Sequence, residues 1–159
     1  MSETPNVRLA RQLALAVPAL LLAGAYVGQY AFGLFPCEMC WWQRWPYFVA
    51  IALGLGASFI GPSRIWTAFA GLAILTSGLI GLFHAGVEYG WWEGITGCAT
   101  TVLAGDDVLE SIMNAPIVRC DQAPWDLLGV SLAGWNFLIS AAAAGVILWL
   151  IGRKDVHVI

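Results

Sequence analysis

Residues 35–47 read FPCEMCWWQRWPY: two cysteines two residues apart, then three tryptophans, an arginine and a proline. Apolar chain flanks this stretch on both sides, over residues 13–32 and 45–60, and two further apolar runs follow at 65–83 and 132–151. Each approaches the roughly 20 residues that cross a ~30 Å hydrocarbon layer at ~1.5 Å per residue, the second only if it begins nearer Cys40. Of the 159 residues 60% are hydrophobic and 11% charged, against about 45–50% apolar residues in soluble domains. The sequence therefore predicts an all-α membrane protein. Its expected form is a four-transmembrane-helix bundle in one integral membrane domain over 1–159, with helices at about 13–32, 41–60, 65–84 and 131–151 and outer loops at 33–44 and 88–130.

The first run follows Arg8 and Arg11 and contains the small residues Ala23, Gly24 and Ala25, as a cleaved signal would. Its length exceeds the ~7–15 residues of a signal core, so it is read as a helix. Orientation follows from the cations. Five of the seven basic residues, Arg8, Arg11, Arg64, Arg153 and Lys154, fall at the two termini and in the loop after the second run, which places those segments in the cytoplasm. Cys37, Cys40, Cys98 and Cys120 then all lie on the other side, where an oxidising compartment makes disulfide chemistry the first reading.

Smaller features fit a bundle. Pro18 implies a mild kink in the first helix, and Gly24-x-x-x-Gly28 and Ala141-x-x-x-Gly145 are spacings that let helices approach closely. Pro46 suits the first turn of the second helix. Seven of the nine tryptophans sit near the outer face, where an apolar ring with a polar N–H is at home. Residues 106–114 carry apolar positions at helical spacing before Pro116, and are read as a short interfacial helix in the long outer loop. No Gly-rich phosphate loop or basic patch is present, so no nucleic-acid partner is expected.

Taken as staples, the cysteines are unequal. A bridge closing about 23 residues between Cys98 and Cys120 would stabilise by ~3.4 kcal/mol, whereas one between Cys37 and Cys40 closes about four residues for ~2 kcal/mol before strain. Short strained bridges belong to labile, catalytic pairs. A helix N-terminus and a nearby cation favour the thiolate such a pair needs, and both are at hand, the cation being Arg44. Arg44 as a mere interfacial snorkeller is the competing reading, weakened because it breaks the positive-inside pattern beside a redox pair. Four cysteines also raise a zinc site, but Cys98 and Cys120 are far apart with no nearby histidine, so no metal is expected. His84, at the outer end of the third helix and at the depth of Arg44, is a candidate for a polar headgroup or proton path; His157 lies in the cytoplasmic tail.

Cys37-Glu38-Met39-Cys40-Trp41-Trp42-Gln43-Arg44 resembles the Cys-x-x-Cys-x-x-x-Arg pattern of the bacterial disulfide-bond formation protein B (DsbB) family. Trp125-Asp126-Leu127-Leu128-Gly129 through Trp135-Asn136 is similar to that family's entry to its fourth helix, and the likeness runs along nearly the whole chain. The resemblance implies a multi-pass protein of the bacterial inner membrane, with cytoplasmic termini and periplasmic cysteine loops. It implies a quinone-dependent thiol oxidoreductase that reoxidises a periplasmic thioredoxin-like dithiol oxidase (DsbA-like). That the periplasm is held oxidising through this relay is an established property of the family. Carried over by residue, Cys98 would form the mixed disulfide with the partner and Cys120 would be its bridge mate. Cys37 and Cys40 would pass the electrons on, with Cys40 facing the quinone (ubiquinone or menaquinone), and Arg44 and His84 would bind it. Two departures stand out: the segment between Cys98 and Cys120 is shorter than in the best-known members, and Ala133 stands where a proline is common.

Two other readings compete. Vitamin K epoxide reductase-like enzymes share a four-helix bundle and quinone chemistry but carry their Cys-x-x-Cys late in the bundle. A tetraspanin-like organiser with a stapled outer loop explains Cys98 and Cys120 and leaves Cys37 and Cys40 without a purpose.

Overall fold

The computed structural model of the chain describes residues 4–96, 99–100 and 117–153. Four helices carry it: α1 (Pro5–Ala31), α2 (Glu38–Phe59), α3 (Ser63–Glu88) and α4 (Leu132–Gly152). α1, α3 and α4 are long and apolar enough to cross a membrane, so this is a membrane protein. α2 is not among those three, because Gln43, Arg44 and Pro46 interrupt its apolar surface in the N-terminal half.

Helix starts differ instructively from the expected ones. Pro5 opens α1 from an extended Thr4, a good first-turn residue because its missing N–H has no intrahelical partner there. α2 starts at Glu38, inside the segment expected to be loop, because the Cys37 Sγ accepts the Cys40 N–H at 3.2 Å and caps the helix. Pro46 therefore lies within α2 rather than in its first turn. The ring removes one backbone donor, and beside this break the Ser77 hydroxyl of α3 donates to the Gln43 carbonyl at 2.7 Å. α4 is capped by Ser131, whose Oγ accepts the Gly134 N–H at 3.1 Å.

α3 is the central helix, packed along α2 and α4, while α1 lies against α2 and α4. The core is built of small residues that let backbones come close, Ala10, Ala14, Ala50, Ala70 and Ala144, filled by Ile74 and Ile147. The small-residue spacings mark the close approaches only in part: Ala141 lies opposite Gly78, where an added Cβ would come 3.6 Å from its backbone nitrogen. A Cβ on Gly24 or Gly145 would meet nothing within 4 Å, whereas on Gly78 it would lie 2.9 Å from Ser140 and on Gly81 2.9 Å from the Ala133 carbonyl. Large apolar side chains such as Leu20 and Phe59 point outward, as lipid contact requires.

Between α3 and α4 run two short antiparallel pairs. β1 (Ala99–Thr100) pairs with β2 (Ile117–Val118), and β3 (Asp126–Leu127) with β4 (Val130–Ser131) through a turn in which Leu128 and Gly129 both take positive φ. The Tyr89 hydroxyl pins this hairpin to the end of α3, donating to the Gly129 carbonyl at 3.3 Å and accepting the Ser131 N–H at 2.8 Å. At the opposite end of the bundle Arg64 donates to the carbonyls of Ile151 and Arg153, tying the start of α3 to the end of α4. Arg64 and Arg153 thus share one end and the Cys-x-x-Cys the other. Cys98, the expected interfacial helix, Lys154 and His157 lie outside the described residues.

Candidate functional site

The site begins with the cap of α2. Holding the Cys40 N–H brings the Cys37 Sγ to 2.8 Å from the Cys40 Sγ, so the cap geometry itself sets the pair in register for bonding. Cys37 is buried, and Cys40 partly so. The hydrogen bond to Cys40, with burial second, pushes the Cys37 thiol up to about 12. At 2.8 Å the two sulfurs titrate as one coupled pair rather than as two independent thiols.

Cys120 arrives from the segment between α3 and α4. With Met39, Val87 and Cys37 it forms a small buried cluster at the Cys-x-x-Cys end of the bundle. The Cys37 Sγ, the Cys120 Sγ and a ring nitrogen of His84 lie within 4.8 Å of one another. The sequence placed no histidine near Cys120, and folding corrects this by bringing His84 of α3 to it; sulfurs this close to a capped Cys-x-x-Cys are also placed for thiol–disulfide exchange. Burial raises the Cys120 thiol as well, which keeps it protonated when it is not bridged.

His84 sits one turn before the end of α3 and is buried. Its Nε2 is 3.5 Å from the Cys37 Sγ and 3.6 Å from the Glu88 Oε1, and its Nδ1 is 2.8 Å from the Gln43 Nε2. The tautomer follows from a chain of bonds. The Asn136 Nδ2 donates to the Ser77 carbonyl at 3.2 Å and to the Gln43 Oε1 at 2.7 Å, and the Tyr47 hydroxyl donates to the Asn136 Oδ1. With its oxygen so engaged, Gln43 turns its NH₂ toward His84, whose Nδ1 must accept and whose Nε2 carries the hydrogen.

Arg44 is 6% exposed, and its guanidinium lies 4.8 Å from the ring centres of both Tyr26 and Trp41, donating to the Gln29 Oε1 at 2.8 Å. It does not snorkel; two aromatic faces hold it over a cavity. That cavity has a volume of about 700 Å³ and is mostly apolar, with Cys40, Gln43, Arg44, His84, Glu88 and Asn136 as its polar wall. Cys40 is on the wall and Cys37 is behind it.

Residues 7–150 match the family model described as Disulfide bond formation protein DsbB. The chain belongs to the DsbB family. It is similar to the Disulfide bond formation protein B of Verminephrobacter eiseniae, 32% identical over 96% of this chain and 89% of the relative. The protein of the same name from Paracidovorax citrulli is 33% identical over 92% of this chain and 87% of the relative. An uncharacterised protein of Rickettsia prowazekii is 26% identical over 79% and 77% of the two chains. No solved structure matches. Membership makes this DsbB-family chain a thiol oxidoreductase of disulfide bond formation.

Of the residues singled out in the sequence, Cys37, Cys40, Cys120, Arg44 and His84 come together, while Cys98 lies outside the described residues. Gln43, Asn136 and Glu88 were missed. Each had a signal: Gln43 and Asn136 are polar side chains within apolar helices, and Glu88 follows His84 by four residues on one helix face.

Proposed function

We propose that this protein reoxidises a thioredoxin-like dithiol oxidase outside the cytoplasmic membrane of a bacterium and passes the electrons to a membrane quinone. In this reading all four helices span the bilayer, α2 through its association with α3, and the end bearing Arg64 and Arg153 faces the cytoplasm. One observation carries the reading: Cys40 and Arg44 share the wall of a single apolar cavity, and Cys37 stands behind Cys40 beside Cys120.

The residues present fit a quinone. A cavity of about 700 Å³ falls within the ~300–1,000 Å³ of small-molecule sites, and its few polar groups converge on one side. Cys40, Arg44 and His84 would hold the headgroup, which when bound supplies a two-electron, two-proton acceptor. The chain's own part is a relay of sulfurs. Cys98 takes the partner's thiolate, releasing Cys120; Cys120 attacks Cys37 within the buried cluster, breaking the Cys37–Cys40 bond and releasing Cys40, the sulfur facing the cavity, as a thiolate. Arg44, fixed between Tyr26 and Trp41, directs its free N–H groups without first having to be ordered.

The vitamin K epoxide reductase-like reading places the Cys-x-x-Cys in the last helices, and here Cys37 caps α2. Purified protein given a reduced Cys-x-x-Cys partner and a soluble quinone should turn over. Each of Cys37→Ser, Cys40→Ser, Cys98→Ser and Cys120→Ser should abolish turnover at a different step. Full turnover by Cys37→Ser or Cys40→Ser would sink the relay.

A further inference from the structure

Glu88 has no part in the relay described so far. Its side chain is only 2% exposed, and one carboxyl oxygen, Oε1, lies 3.6 Å from the His84 Nε2. The other, Oε2, is buried on the wall of the cavity with no hydrogen-bond partner among the described residues. A buried carboxyl oxygen without a donor is costly when charged and accounted for when it carries a proton. The titratable and charged groups sharing the cavity wall with Glu88 are His84 on its own helix and Cys40 and Arg44 from α2, with Cys37 and Cys120 beside His84 behind the wall. α4 presents only the neutral Asn136 and Trp135.

We propose that Glu88 is the proton donor of this site: it holds a proton while Cys40 is a thiolate and gives it into the cavity when the Cys37–Cys40 disulfide forms. The proposal rests on the quinone reading above. Two anions on one apolar cavity repel, so the thiolate and the carboxylate alternate. The His84 N–H, fixed on Nε2 by Gln43, stands between the Cys37 sulfur and Glu88 and is placed to meet the carboxylate once Glu88 is charged.

The step balances. Before it, Cys37 is a thiol, Cys40 a thiolate and Glu88 a carboxylic acid. The Cys37 S–H bond breaks, the S–S bond forms, and two electrons go to the quinone. The proton from Cys37 and the proton from Glu88 supply the two that make the quinol. One negative charge is present before, on Cys40, and one after, on Glu88. The next pair of thiols delivered by the partner restores the Glu88 proton.

Two measurements test this. The first is an infrared difference spectrum between the dithiol and disulfide states of the full-length, quinone-free protein, cycled with a diamide-type oxidant and dithiothreitol. A carboxylic C=O band should be lost on oxidation, be absent from the spectrum of Glu88→Gln and shift in Glu88→Asp. The second is turnover. Glu88→Gln should reduce soluble quinone roughly 100-fold more slowly, at the low end of what a positioned proton donor contributes, and lose the alkaline fall of the wild-type pH–rate profile. Its single exchange with reduced partner at the outer cysteines should be unchanged, which shows that the variant is folded. No carboxyl loss in the wild type, or Glu88→Gln turnover within twofold of wild type, would overturn the proposal. Failure of the wild type to reduce any quinone would instead remove the reading it rests on, and the infrared band would still report on Glu88.

Discussion

Replacing Arg44 by alanine separates quinone binding from partner exchange. The side chain is buried between Tyr26 and Trp41, with a hydrogen bond to Gln29, so the guanidinium is held in place by the protein. A hydrogen bond from such a charged donor is worth about 1.5–3 kcal/mol, and each ~1.4 kcal/mol is tenfold. The KM for a soluble quinone should rise by about 10- to 150-fold in Arg44→Ala. Arg44→Lys keeps the charge but loses the planar stacking, and should lie between that variant and wild type. Arg44→Ala also loses contact with two rings, about 0.5–2 kcal/mol for each ring, so the thermal unfolding of both variants in detergent should be measured alongside. The assay is steady-state turnover with quinone and reduced partner varied independently. The KM for the partner should stay within twofold of wild type, since Arg44 is held by Tyr26 and Gln29 of α1 and by Trp41 of its own helix. An unchanged quinone KM, or an equal rise in both constants, would refute the reasoning and return Arg44 to a packing role.

Other expectations follow from single contacts. In the reduced protein at pH 8, Cys40 should be alkylated first and Cys37 more slowly, because the hydrogen bond to Cys40 and burial hold the Cys37 thiol above its ordinary value; Cys37 labelling at the rate of Cys40 by peptide mass mapping would contradict it. Protection of Cys37 should lapse only as the pH approaches its raised value. Gly81→Ala should cost about 1–3 kcal/mol in thermal unfolding, since the added Cβ would meet the Ala133 carbonyl and Asn136 at 2.9 Å, whereas Gly145→Ala, with nothing within 4 Å, should be neutral within about 0.5 kcal/mol. Asn136→Leu removes the group that orients Gln43 and should slow quinone reduction about tenfold without changing exchange with the partner; slowing of both would mean that the helix packing itself had failed. A cysteine placed at Arg64 should be reached by impermeant label only after the membrane is opened, while one at Asp121 should react in intact spheroplasts.

The sequence was most legible where polar chemistry is rare. In a chain this apolar, Cys37, Cys40, Arg44 and His84 stand out because burying them in lipid without a purpose is costly, and the structure gathers all four at one end of the bundle. The start of α2 was not legible, because Cys37 does the work usually given to serine, threonine, aspartate or asparagine, and Pro46 looked like a first-turn residue. Gln43, Asn136 and Glu88 acquire meaning only once α2, α3 and α4 are known to be neighbours, since their partners lie on other helices or beside the cavity. The glycines misled for the same reason: a small residue permits close approach at any turn, and only the packing of α3 decides that Gly78 and Gly81 are used while Gly24 and Gly145 are not.

The central claim, that electrons leave the Cys37–Cys40 pair for a quinone, is tested most directly by stoichiometry. A catalytic amount of the protein in detergent, with excess reduced Cys-x-x-Cys partner and a measured quantity of soluble quinone, should consume one quinone for each partner disulfide formed, over many turnovers. The same mixture with Cys40→Ser should consume none. Partner oxidation that stops after one equivalent of this protein, with the quinone absorbance unchanged, would contradict the account.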